Sequence, residues 1–156
     1  EDRDAEEFHL ADELLGAAGY EHYETSNYAL DGAYSAHNLG YWRGDDYLGI
    51  GPSAVSTVDR IRSKNVADTD AYIRRVMSIG HAVDEVEPLD EQALRIERIA
   101  LGLRTSRGIP AACLSPDARR RAEDLAQLGL CRFEGANLVL AGRGRALVDP
   151  IAAELI

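Results

Sequence analysis

The apolar periodicities in this chain are short and several are closed by a glycine or a proline, and that punctuation limits what it can fold into. Phe8, Ala11, Leu14, Leu15 and Ala18 recur at three- and four-residue steps before Gly19, which predicts an amphipathic helix over residues 3–18. Tyr72, Ile73, Val76 and Ile79 are expected to face inward from a helix that Asp68 or Thr69 caps and Gly80 stops. Asp90 opens a third helix carrying Leu94, Ile96, Ile99, Ala100 and Leu103. Ser115 and Pro116 open a fourth that ends at Gly129, and a last helix covers roughly residues 143–155. The strand signals are shorter still. YEHYET runs into Ser26 and Asn27, YLGIG is stopped by Pro52, and CRFEGANLVLA alternates around Gly135 and Asn137 as a hairpin. The charged, proline-containing DEVEPL between the second and third helices reads as a boundary.

These pieces describe an α+β chain in two small units. A helix feeding a strand suggests the tail of an α/β unit, and helices followed by a two-stranded wing resemble a winged-helix module. The 156 residues suffice for a real core, and no apolar run approaches the ~20 residues of a membrane-spanning helix. The opening EDRDAEEFHLADELL has no start methionine, basic n-region or apolar h-region, so it is expected to begin inside a longer protein rather than to be a secretory signal. Cys113 and Cys131 stand 18 positions apart, which suits two thiols in a reducing, cytoplasmic setting. The net charge of −10 is uneven. Residues 1–89 hold 18 acidic against 7 basic side chains, a balance of −11, and residues 90–156 hold 9 against 10, a balance of +1. An acidic first half repels phosphate backbones, and the run Arg119, Arg120 and Arg121 reads most simply as a solvated helix face.

The chemistry-bearing types gather at residues 37–42, HNLGYW, which include the only tryptophan of the chain. If this run makes a helical turn, His37 and Tyr41 share a face with Asn38 and Trp42 beside them, although Gly40 disfavours a long helix. An imidazole is a common iron or zinc ligand, and flat amphipathic rings suit the lining of a planar ligand's pocket. On residue types alone the commoner reading is a loop histidine capping a turn while Trp42 plugs the core, between the YEHYET and YLGIG strands and the helix near residues 70–79. His9 with Glu13, and His22 with Glu24, share faces without completing a metal motif. GIGPS lacks dinucleotide spacing, and no GxSxG, P-loop or cysteine trio is present.

The order GYEHYETSNYA, HNLGYW, DYLGIGPSA and ERIALGLRTSRGI resembles the C-terminal part of the oxygen-independent coproporphyrinogen III oxidase-like family of radical-SAM proteins, in particular its heme-chaperone, HemW-type branch. The resemblance runs from about residue 8 to the end. It implies the tail end of an incomplete (β/α) radical-SAM barrel followed by a helical, winged-helix-like domain. The divisions would be residues 1–66 for the barrel end with the HNxxYW element, 67–89 for a connecting helix and linker, and 90–156 for the last domain.

The resemblance further implies that His37 is a ligand to heme iron, that Asn38, Tyr41 and Trp42 complete the heme element, and that Glu24, Ser26 and Asn27 of the YExSN strand line the site. Its implied partners are heme and an apo-hemoprotein acceptor, with homodimerisation left open. A [4Fe–4S] cluster and S-adenosylmethionine belong to the full-length proteins, whose CxxxCxxC motif is absent here, so no catalytic residue is assigned and enzymatic activity is left open. Two departures stand out. Ser35 and Ala36 replace the Cys and Arg frequent before the histidine, and Ser53 and Val55 replace a glycine and a histidine in the GxGAHS stretch.

The leading expectation is therefore a portion of a heme chaperone. Its rivals are coproporphyrinogen III oxidation by the full-length protein and a winged-helix nucleic-acid binder. A barrel strand without its neighbours is expected to expose an unpaired edge. Residues 90–156, with a balance of +1, should show no useful duplex affinity at physiological salt. A fluorescence-anisotropy titration giving sub-micromolar, steeply salt-dependent binding would promote the nucleic-acid reading.

Overall fold

The computed structural model describes residues 2–156, with side chains from residue 6 onward. The elements run α1 (Asp2–Ala17), β1 (Glu21–Glu24), β2 (Asn27–Ala29), α2 (Ala36–Arg43), β3 (Val55–Val58), β4 (Ile61–Asn65), α3 (Thr69–Ile79), β5 (Val83–Pro88), α4 (Glu91–Gly102), β6 (Ile109–Pro110), α5 (Pro116–Gln127), β7 (Cys131–Glu134), β8 (Asn137–Leu140) and α6 (Val148–Leu155). Two compact units result, one of residues up to Gly44 together with residues 95–156, the other of residues 45–94.

The first unit carries the main core. Ile99, Leu103, Ile109, Ala118, Ala122, Leu125, Leu138, Leu140, Ile151 and Leu155 form one buried cluster from α4, α5, α6 and the sheet β6-β8-β7. Two helices start where the sequence predicts, but the last does not: Gly142–Leu147 form a 3-10 helix, and α6 opens only at Val148 rather than near residue 143. Ser115 accepts the Ala118 N–H with Pro116 in the first turn of α5, and Asp90 accepts the Ala93 N–H at 2.7 Å to open α4. The hairpin of β7 and β8 pairs Cys131 with Leu140 and Glu134 with Asn137. Gly108 is a required glycine: its φ is +61°, and a methyl there would collide with the Leu138 carbonyl. A second hairpin joins β1 to β2, pairing His22 with Tyr28. Among the described residues every sheet is antiparallel, and β1 has β2 as a neighbour along one edge.

The second unit is an antiparallel sheet in the order β3-β4-β5, with α3 inserted in the chain between β4 and β5. Asp68 caps α3 by accepting the Ala71 N–H at 2.8 Å, and Gly80 closes it with φ +82°. Three expectations are corrected here. DEVEPL is not a linker but most of the edge strand β5, where alternating charge and a terminal proline are tolerated because one side needs no ladder partner. YLGIG is not a strand: only Tyr47 bridges to Thr57, while Gly49 packs so closely on Val55 that no side chain would fit. Ile73 and Ile79 face outward, Ile79 at 60 % exposure. In the first unit, Leu14 of α1 is likewise exposed.

Among the described residues no helix is long and apolar enough to cross a membrane. Leu138, with 0 % exposure, is central to the core. Leu138→Ala should cost about 2–5 kcal/mol in urea unfolding, through lost transfer energy and the cavity left behind; a change under about 1 kcal/mol would show that this cluster does not hold the unit together.

Candidate functional site

HNLGYW is helical. Ser35 sits at φ −68°, ψ 104° and its hydroxyl accepts the Asn38 N–H, while Gly44 in the left-handed region closes the helix. Two good caps thus outweigh the cost of Gly40 inside an eight-residue helix. They also give the departure at position 35 a physical role, since serine is a strong N-cap. The Ser35 N–H in turn donates to the Tyr23 hydroxyl at 3.1 Å, and Tyr23 stacks on Tyr34 with ring centroids 4.7 Å apart. The start of α2 is therefore fixed by β1.

Its far end is fixed by the same strand. Glu24, 2 % exposed, accepts three hydrogen bonds: from the Trp42 indole at 3.0 Å, from the Asn27 side-chain amide, and from the Ser26 N–H at 3.2 Å. A carboxylate with three donors is compensated for its burial. Glu24, Ser26, Asn27 and Trp42, drawn from two separate sequence motifs, thus meet at one carboxylate. Trp42 is half-buried, and the Arg104 guanidinium lies 5.8 Å from its ring centroid.

The loop after α4 closes this arrangement. Thr25 donates its N–H to the Arg104 carbonyl at 2.8 Å, Ser106 donates to the Tyr23 carbonyl at 3.0 Å, and Glu24 bridges to Thr105. Arg104 is held by the Ala100 carbonyl and Asp149. Tyr23, Ser35 and Arg104 were not among the residues singled out for the site. The capping spacing of Ser35 and the LRTSRG string were visible, but their meeting was not.

His37 and Tyr41, one turn apart, are exposed and meet edge to face with centroids 4.7 Å apart. Asn38 is half-buried beside them. At 100° per residue, Leu39, Trp42 and Arg43 point to the opposite side of α2 from His37. The motif is thus divided: His37 and Tyr41 outward, Trp42 inward. His37 can be approached by a ligand from outside. His22 differs sharply, for its side chain is 6 % exposed, lies 3.1 Å from Asp12 and stacks on Tyr28 at 4.3 Å. It is a packing histidine.

Among the described residues no group of three or more His, Cys, Asp or Glu side chains could hold a metal ion. Cys131 is buried, which pushes its thiol pKa up, and Cys113 is half-buried; the two do not fit a three-thiolate iron–sulfur site, and no step is derived through a cluster. The arginine run is only partly solvated. Arg119 and Arg120 are exposed, paired with Glu123 at 3.5 Å and with Asp117 respectively, whereas Arg121 is half-buried.

The fold matches that of a segment of coproporphyrinogen III oxidase (HemN) from Escherichia coli, a radical SAM enzyme, with a TM-score of 0.68 at 16 % identity, over 94 % of this chain and 39 % of that one. No family model matches the chain. Among curated proteins it is 37 % identical to heme chaperone HemW of Mycobacterium tuberculosis over 97 % of its length, and 31 % identical to the mitochondrial radical S-adenosyl methionine domain-containing protein 1 of Bos taurus over 92 %. The chain belongs to the HemW-type branch of the coproporphyrinogen III oxidase-like radical-SAM family. It spans about two fifths of the length of these relatives, 39 % and 37 %.

Glu24→Ala would leave the indole N–H and the Asn27 amide without their acceptor, at about 1–3 kcal/mol for each group left unsatisfied. Because Trp42 is the only tryptophan, its emission should shift to the red in this variant. An unchanged emission maximum and midpoint would mean that the carboxylate does not hold the ring.

Proposed function

We propose that this chain is the C-terminal portion of a heme chaperone, binding heme through His37 and passing it to an apo-hemoprotein. The observation that carries the reading is the exposed imidazole on a helix held at both ends, in a chain whose relative from M. tuberculosis is named a heme chaperone. Imidazole is a ready axial ligand for heme iron. Tyr41 meets the His37 ring and limits how it turns, and Asn38 flanks it. Glu24, Ser26 and Asn27 act in this reading as supports of α2 through Trp42, rather than as groups that touch heme.

In the whole protein the first residues, to about 66, would complete the edge of a radical-SAM barrel and residues 90–156 would form a winged-helix-like domain, while residues 67–89, expected as a connecting helix and linker, instead supply α3 and the edge strand β5 of the sheet β3-β4-β5. The sheet β6-β8-β7 packed with α4, α5 and α6 supports the last assignment. The [4Fe–4S] cluster and S-adenosylmethionine would be held by the part of the relatives that this chain does not span. A cytoplasmic location and a homodimer belong to the same proposal. The solved neighbour, a coproporphyrinogen III oxidase, supports the second reading, in which the whole protein oxidises coproporphyrinogen III. Nucleic-acid binding is disfavoured by the carboxylate partners of Arg119 and Arg120.

Heme added to the protein should give a Soret band typical of nitrogen ligation. His37→Ala should remove that band position while leaving the circular dichroism intact, and His9→Ala and His81→Ala should not. His22→Ala is a poor control, because that ring is packed between Phe8 and Tyr28. An unchanged ligand field in His37→Ala would overturn the ligand assignment.

A further inference from the structure

The inward side of α2 borders a cavity of about 280 Å³ that the heme reading does not use. It lies wholly within the first unit. Tyr23, Tyr34 and Trp42 supply aromatic wall, and Arg43, Arg98 and Arg107 also line it. His37 does not line it and points to the other side of the helix, so a heme held on His37 would not occupy this space. The volume is also small, at the lower edge of the roughly 300–1,000 Å³ typical of organic-ligand pockets, and suits a ligand of one or two fused rings.

Charge decides the class of ligand. In a chain with net charge −10, Arg60, Arg75, Arg104, Arg119, Arg120 and Arg132 each face a carboxylate. Among the described residues Arg98 and Arg107 have none, and both are exposed at the cavity. Two carboxylates bond to the aromatic wall, and both are already engaged: Glu21 accepts from the Tyr34 hydroxyl, and Glu24 from Trp42, Asn27 and Ser26. Guanidinium groups pair with carboxylates in a bidentate fork, and rings stack on tyrosine and indole faces.

We propose that the cavity lined by Tyr34, Trp42, Arg98 and Arg107 is a binding site for a small aromatic carboxylate, separate from the His37 face of α2. The ring lies against the aromatic wall and the carboxylate is received by the two guanidiniums.

The single indole N–H gives one resolved signal in a 15N-correlated NMR spectrum, and it belongs to a residue that lines the cavity. Titration with 2-naphthoate should move that signal saturably, whereas neutral 2-naphthamide and inorganic phosphate should bind at least about tenfold more weakly, each lacking one half of the recognition. Arg98→Gln with Arg107→Gln should weaken naphthoate at least about tenfold while keeping the dispersed spectrum of the folded chain, and His37→Ala should leave the affinity unchanged. Equal binding of naphthoate and naphthamide, phosphate binding as tightly as naphthoate, an unmoved indole signal at millimolar naphthoate, or full affinity in the double variant would each overturn the proposal. Loss of naphthoate binding in folded His37→Ala would overturn the separation of the two faces.

Discussion

One buried carboxylate organises the first unit. Glu24 is out of water yet receives an indole, an amide and a backbone N–H, so removing any donor leaves a costly acceptor and removing the acceptor strands several donors. Trp42 is tied to Glu24 across 18 residues of chain, and Ser35 is tied to Tyr23 next door. Both ends of α2 are therefore referenced to the same four-residue strand. An eight-residue helix would be marginal alone, and these tertiary bonds supply what its length cannot.

That fixation has a functional consequence. With Trp42 turned inward to Glu24, the helical period obliges His37 and Tyr41 to face out. A ligand on His37 then meets an imidazole whose backbone does not need to rearrange, while the opposite side of α2 completes a cavity of different chemistry. The loop from Arg104 to Ser106 serves both sides, because it pairs with β1 through its backbone and sets Arg104 over the indole.

Local signals made much of this legible. The caps at Asp68, Asp90 and Ser115, the stops at Gly19 and Gly80, and the turn at Gly135 each lie within a few residues of the element they define, and those elements formed where expected. What failed depended on distant partners. The charges of DEVEPL looked like a linker because an edge strand needs no apolar face on its open side. YLGIG looked like a strand, but Gly49 is used for close approach to Val55 rather than for a ladder. The residues of the site were legible as motifs; that Glu24 and Trp42 bond to each other was not, since spacing along the chain carries no information about an 18-residue contact.

The most direct test of this account is hydrogen–deuterium exchange at the Trp42 indole nitrogen. A proton donated to a buried carboxylate should exchange only when the surrounding unit opens, so its protection should match that of the slow amides in β7 and β8. Exchange at the rate of a free indole, with those amides still protected, would contradict the claim that Glu24 fixes α2.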